Sequence, residues 1–188
     1  LQKDNRWNSL IILAILLVAG LAQTSLVQMS PAWLARLLGY IDWLLLITVY
    51  IGLQRDPIRA MVTGASAGLI HDLLSGGAGM GISGISYVLA AYVTWSVTSL
   101  IVVDNLLVRF VTVATSSLLN TSVRLIFYAL LGVSLPVLDS GRMVAANYVF
   151  TLLVHLIAST LLYILLDRIF LRGDALRRRR TEARRKRV

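Results

Sequence analysis

Few residues in this chain are equipped for chemistry, and those few sit inside long apolar runs. Two carboxylates (Asp42, Asp72), one guanidinium (Arg124) and two imidazoles (His71, His155) interrupt stretches otherwise almost free of charge. "GISG" (Gly81–Gly84) presents Ser83 between glycines, and His155 follows in a later run. A serine becomes a nucleophile when a base stands within about 2.6–3.2 Å of its hydroxyl, so Ser83 with His155 is the pair to weigh for hydrolysis. Cysteine is absent, which removes disulfides, thiolate metal sites and cysteine nucleophiles together. The sequence has no HExxH, no Walker loop and no paired-Asp phosphotransferase motif, so neither an enzyme nor a metal or cofactor site is expected.

The elements that must position these residues are hydrophobic passes. The chain has 188 residues, 57% hydrophobic and 14% charged, with a mean hydropathy of +0.78. Soluble domains run about 45–50% apolar and about 25% charged. A bilayer crossing takes about 20 apolar residues, and six runs qualify: 9–26, 37–53, 60–75, 82–103, 110–133 and 143–166. The third is the shortest, roughly 24 Å as a helix. Between the runs lie Pro31 with Arg36, then "QRDPIR" (Gln54–Arg59), "GGAGMG" (Gly76–Gly81), "DNLLVR" (Asp104–Arg109) and "SLPVLDSGR" (Ser134–Arg142), short connections between antiparallel helices. The first run has five successors, so it reads as a retained helix rather than a cleaved signal. The expected fold is all-α and polytopic: a six-helix transmembrane domain over residues 1–166, followed by a basic tail, 167–188.

The formal net charge is +9, and the tail alone holds ten Lys/Arg against three acids. No basic face exists outside it, which argues against nucleic acid. With both termini cytoplasmic, the inner segments hold Lys3, Arg6, Arg55, Arg59, Arg109 and the tail, and the outer loops only Arg36 and Arg142. That asymmetry sets the orientation. The tail clusters, Arg177, Arg178, Arg179 and Arg180, then Arg184, Arg185, Lys186 and Arg187, suit anionic lipid headgroups, each gaining about 1 kcal/mol there. An acidic cytoplasmic partner is the other reading.

A charge in mid-bilayer costs at least about 2.5–3.5 kcal/mol and calls for a partner or a polar cavity. Threaded in alternating directions, Asp42, Asp72 and Arg124 fall in one leaflet, so Arg124 is expected to pair with Asp42, Asp72 or both. Thr112, Ser116, Asn120, Arg124 and Tyr128 recur every four residues, which lines them along one helix face. Such a stripe serves as interhelical glue, or as a hydrated groove or partner surface. Gly64 and Gly68, continued by Asp72 and Gly76, form a second face on which another helix can pack at backbone distance. A partner's single transmembrane helix could dock on the glycine face or on the polar stripe.

The serine and histidine noted first resemble the dyad of rhomboid intramembrane proteases. That family also carries a His and an Asn on helix 2 and glycines after the helix-6 histidine. Here helix 2 has neither, His155 is followed by "LIAST", and threading places it roughly 18 Å below Ser83.

A more specific resemblance lies in "DWLLLITVYIGL" (Asp42–Leu53) and "GASAGLIHDLLSGGAGMGISGISYVLAAYV" (Gly64–Val93). These are similar to MreD, the bacterial rod-shape-determining membrane protein family. Its pattern reads roughly P-D/N-L/W-L-L-L-x-x-Y at helix 2 and G-x-x-x-G-L-x-x-D-L-x-S-G-x-x-x-G at helices 3–4. Gly64, Gly68, Leu69, Asp72, Leu73, Ser75 and Gly76 match in type, and Gly81 falls one residue beyond the spacing. "LAQTSL" (Leu21–Leu26) is similar to the Gln-terminated first helix of that family, and Ile41 stands where it often has proline. The resemblance implies a non-enzymatic scaffold in the inner membrane, working in peptidoglycan synthesis during cell elongation. It would bind an MreC-like bitopic protein and act on RodA and a class B penicillin-binding protein, with MreB filaments beneath.

Six helices in so short a chain also resemble the substrate-binding subunits of energy-coupling-factor vitamin transporters, whose fold the MreD family is thought to share. Those subunits dock through A-x-x-x-A on helix 1. Here Ala14, Ala19 and Ala22 do not form it. A ligand would need convergent polar groups near the outer face, which Asp42, Asp72 and Arg124 could supply.

Overall fold

The polar breaks at Pro31 and at Gln54–Arg59 become helix ends whose hydrogen bonds can be followed residue by residue. The computed structural model describes residues 2–75, 81–100, 106–132 and 141–185, with side chains over 10–75, 81–99, 107–132 and 144–166. Among the described residues there are helices and no strand: α1 (Gln2–Met29), α2 (Ala32–Gly39), α3 (Trp43–Gly52), α4 (Pro57–Ser75), α5 (Ile82–Leu100), α6 (Leu106–Leu130) and α7 (Gly141–Arg185).

The second hydrophobic run departs from the expected continuous helix over 37–53. It starts earlier and breaks at Tyr40–Asp42 into α2 and α3. Asp42 is the reason. Its carboxylate Oδ1 accepts from the Leu45 amide at 3.0 Å and caps α3, which aspartate prefers over a mid-helix position. The break frees main-chain donors that lipid could not satisfy, and long-range partners take them. The Asp42 N–H donates to His155 Nε2 at 3.1 Å, and the Trp43 N–H donates to Gln23 Oε1 at 3.3 Å.

Below the break, every residue from Leu44 to Gly52 is buried. This short helix is the axis of the bundle and packs against α1, α4, α5, α6 and α7. The Tyr163 hydroxyl of α7 donates to the Leu46 carbonyl at 3.3 Å. Arg55 turns the chain in the left-handed region, with φ 63°. Asp56 then starts α4, its Oδ1 accepting from the Arg59 amide at 3.0 Å, with Pro57 first in the helix, where its missing N–H costs nothing.

Among the described residues, four helical stretches are long and apolar enough to cross a membrane: Leu10–Met29, Ala32–Gly52, Leu107–Leu130 and Val144–Leu166. Their outer faces carry exposed large apolar residues, among them Leu13, Leu17 and Leu21 on α1 and Leu153, Ile157, Leu161 and Ile164 on α7. Water-facing surfaces do not sustain such contiguous apolar area. Helices α4 and α5, at 19 residues each, are long enough by rise, about 28 Å. They are less apolar because much of their surface is Gly, Ala, Ser and Thr, and they make the most extensive helix pairing in the molecule.

The last run also extends beyond its expected end. Helix α7 continues through the basic stretch to Arg185, where a separate tail from 167 was expected. Arg, Leu, Ala and Glu are all strong helix formers, and the single Gly173 costs only about 1 kcal/mol relative to Ala.

Candidate functional site: a polar cavity at one end of the bundle

The polar residues of the helix cores converge at the end where α1 and α6 finish and α7 begins. Gln23 and Arg124 each lie roughly 9 Å below their helix ends, and Asn147, Thr151 and His155 descend from the start of α7. A partly open cavity of about 260 Å³ forms between them, lined also by Tyr40, Asp42, His71, Asn120 and Tyr128.

Asp42 is its organising group. Besides capping α3, its carboxylate receives the Tyr87 hydroxyl at 2.5 Å, and Arg124 Nη1 stands 3.9 Å from Oδ2. Of the pairings left open for Arg124, the structure thus brings it to Asp42. Asp72 is engaged elsewhere: its Oδ2 accepts from the Gly81 amide at 2.7 Å, and Oδ1 lies 3.7 Å from His71 Nδ1. Gly81 holds φ at +98°, a backbone other residues resist, so Asp72 fastens the start of α5 to the end of α4.

The Ser83–His155 dyad does not form. His155 Nε2 accepts from the Asp42 amide, so its proton belongs on Nδ1, which lies 2.7 Å from Ser117 Oγ. With its lone pair on a main-chain amide, this imidazole is no base for Ser117 either. Ser83 instead meets His71 Nδ1 at 3.1 Å, and its side chain is buried. The break in the second run leaves the Asp42 amide to be met by His155, which fixes that ring at the start of α3.

Gly64 and Gly68 face α5 and leave no room for a partner's helix. A Cβ on Gly64 would stand 2.8 Å from the Tyr87 carbonyl oxygen, and one on Gly68 2.6 Å from the Ser83 carbonyl carbon. The expectation that a partner helix might dock on this face is therefore corrected; the packing alternative is the arrangement found. Gly76 lies outside the described residues.

The stripe on α6 turns inward. Ser116 Oγ is 2.8 Å from Thr94 Oγ1, Asn120 Oδ1 accepts from Ser86 at 2.7 Å, and Thr112 back-bonds to the Val108 carbonyl at 2.7 Å. Its lower part is glue between α5 and α6, whereas Asn120, Arg124 and Tyr128 line the cavity. The side chains of Arg177, Arg178, Arg179, Arg180, Arg184 and Arg185 are not among those described, and Lys186 and Arg187 lie outside the described residues altogether.

Sequence reasoning missed Tyr87, Ser117, Gln23 and Asn147 as members of this site. Their contacts join distant helices, and no spacing rule connects them. Only Gln23 carried a signal, as the polar end of an apolar helix. Among the described residues no group of three or more His, Cys, Asp or Glu could hold a metal. What the cavity offers is hydrogen-bond donors around a half-compensated guanidinium, which suits it to binding.

Among the described residues the class so defined is all-helical, with four helical stretches fit to cross a membrane and a polar cavity at one end. No protein-family model, curated protein or solved structure matches the chain.

Proposed function

We propose that the chain is a non-enzymatic scaffold of the bacterial cell-elongation machinery, similar to MreD. It lies in the inner membrane as six passes with both termini cytoplasmic and binds an MreC-like bitopic partner, through which it acts on RodA and a class B penicillin-binding protein. Helices α4 and α5 supply the two passes beyond the four most apolar stretches. The distribution of Lys and Arg supports the orientation.

One observation carries this reading. The carboxylates and glycines of the resembling stretches form a single mechanical unit: Asp42 caps α3 and holds Tyr87 of α5, Gly64 and Gly68 seat α4 on α5, and Asp72 ties Gly81. Leu69 and Leu73 of the same motif face outward, and a motif that puts its glycines and carboxylates on the joints of one unit is what shared architecture would produce. The test is capture of the tagged full chain in native-lipid nanodiscs from its own cells. An MreC-like protein should co-purify. Its absence, with an intact scaffold chain, would contradict the proposal.

The cavity favours a second reading, the substrate-binding subunit of a small-molecule transporter. Capture of an ATP-driven transport module in place of elongation proteins would support it.

A further inference from the structure

We infer that the cavity between α1, α3, α6 and α7 is a binding site for an oxyanion, a phosphate or carboxylate group carried by a small molecule or a lipid headgroup. The inference rests on the cavity alone and is independent of which partners the bundle meets.

The argument is a donor count. Arg124 keeps a guanidinium in the wall, its side chain 27% exposed, while Asp42 behind it is 10% exposed. At 3.9 Å the pair lacks a direct hydrogen bond, and the Asp42 oxygens already accept from the Leu45 amide and the Tyr87 hydroxyl. The Tyr128 hydroxyl also bonds to the guanidinium, and with five N–H groups to place Arg124 keeps donors for the cavity it lines.

The two side-chain amides are turned the same way. Gln23 spends Oε1 on the Trp43 N–H, and that main-chain donor fixes the orientation, because the reversed amide would set donor against donor. Its NH2 therefore points away from α3. Asn120 spends Oδ1 on Ser86, freeing its NH2 likewise. The imidazole of His155, protonated on Nδ1 toward Ser117 and accepting from Asp42, contributes no acceptor. His71 has Nδ1 beside Ser83, which leaves only its Nε2 for the cavity. A site rich in oriented N–H groups, with its one carboxylate already engaged, selects a ligand rich in acceptors. A guanidinium matches two oxygens of such a group side by side.

The test uses the full chain in phosphatidylcholine nanodiscs and reads its thermal midpoint. One arm adds inorganic phosphate against sodium chloride at equal ionic strength, and the other replaces part of the lipid with phosphatidylglycerol. The comparison variant is Gln23→Glu, which keeps the acceptor for Trp43 and the side-chain shape but puts a second carboxylate in the cavity. At ten times the dissociation constant the midpoint of the wild type should rise by roughly 3–6 °C, and the rise should vanish in Gln23→Glu. A rise in the phosphate arm alone identifies a soluble oxyanion, and one in the phosphatidylglycerol arm alone a headgroup. No rise in either arm, or an equal rise in Gln23→Glu, overturns the inference. Arg124→Lys provides a second check: it keeps the charge without the two-pronged geometry, and the rise should fall by at least half.

Discussion

The main-chain amide of Asp42 donates to Nε2 of His155 at 3.1 Å, across 113 positions of sequence. This bond decides the role of His155, which serves as the acceptor for a helix that had to break. Replacing His155 with Leu should orphan both the Asp42 amide and the Ser117 hydroxyl, each costing about 1–3 kcal/mol. Thermal unfolding in detergent should show a fall well beyond that of the nearby surface change Leu153→Ala. An equal fall would mean that the bond contributes nothing.

Asp42 and Arg124 should behave as a coupled pair. Arg124→Leu leaves a buried carboxylate with hydrogen bonds but no counter-charge, and should destabilise by about 1.5–3 kcal/mol. Asp42→Asn retains an acceptor for the Leu45 amide and turns its NH2 to the Tyr87 hydroxyl, which can accept, so the double variant should recover part of the loss. A double-mutant cycle on unfolding midpoints measures this, with a coupling of about 0.5–3 kcal/mol expected. Simple additivity would place the two charges in separate environments.

Two neighbouring glycines should respond in opposite ways. A methyl on Gly68 meets backbone atoms of Ser83 and Gly84, which cannot yield as a side chain would, so Gly68→Ala should cost about 1–3 kcal/mol. A methyl on Gly84 meets nothing within 4 Å, and Gly84→Ala should stay within about 0.5 kcal/mol. Equal effects in an unfolding assay would contradict the close approach of α4 to α5.

The absence of cysteine makes topology directly measurable. Single cysteines at Met29 and Gln54, both exposed, can be probed in intact cells with an impermeant thiol reagent. Met29→Cys should react and Gln54→Cys should react only after lysis. The reverse pattern, or labelling of both, would contradict the proposed threading.

Much of the architecture was legible because lipid imposes a crude rule. Runs of apolar residues became helices, but α4 starts at Pro57, three residues inside the expected connection, because Asp56 caps it and a proline can lead a helix. The break within the second run was not legible, since Gly39–Ile41 continues an apolar stretch and hydropathy registers no interruption. Asp42 alone carried the sign, as a capping residue whose carboxylate competes for main-chain donors. The four-residue rows of α4 and α6 showed which side chains share a face but not what each face meets. That information is non-local: Gly64 and Gly68 find α5, Arg124 finds Asp42, and Ser83 finds His71 only when the helices are packed. The continuation of α7 was hidden for a different reason, because the shift from apolar to basic composition reads as a domain boundary although both compositions favour helix.

The most direct test of the scaffold reading is the shape of the source cells when this protein is depleted. The account predicts that rods round up as lateral wall growth fails, and that the wild-type chain restores them. Rods that elongate normally through depletion, with the protein verified as absent, would contradict it.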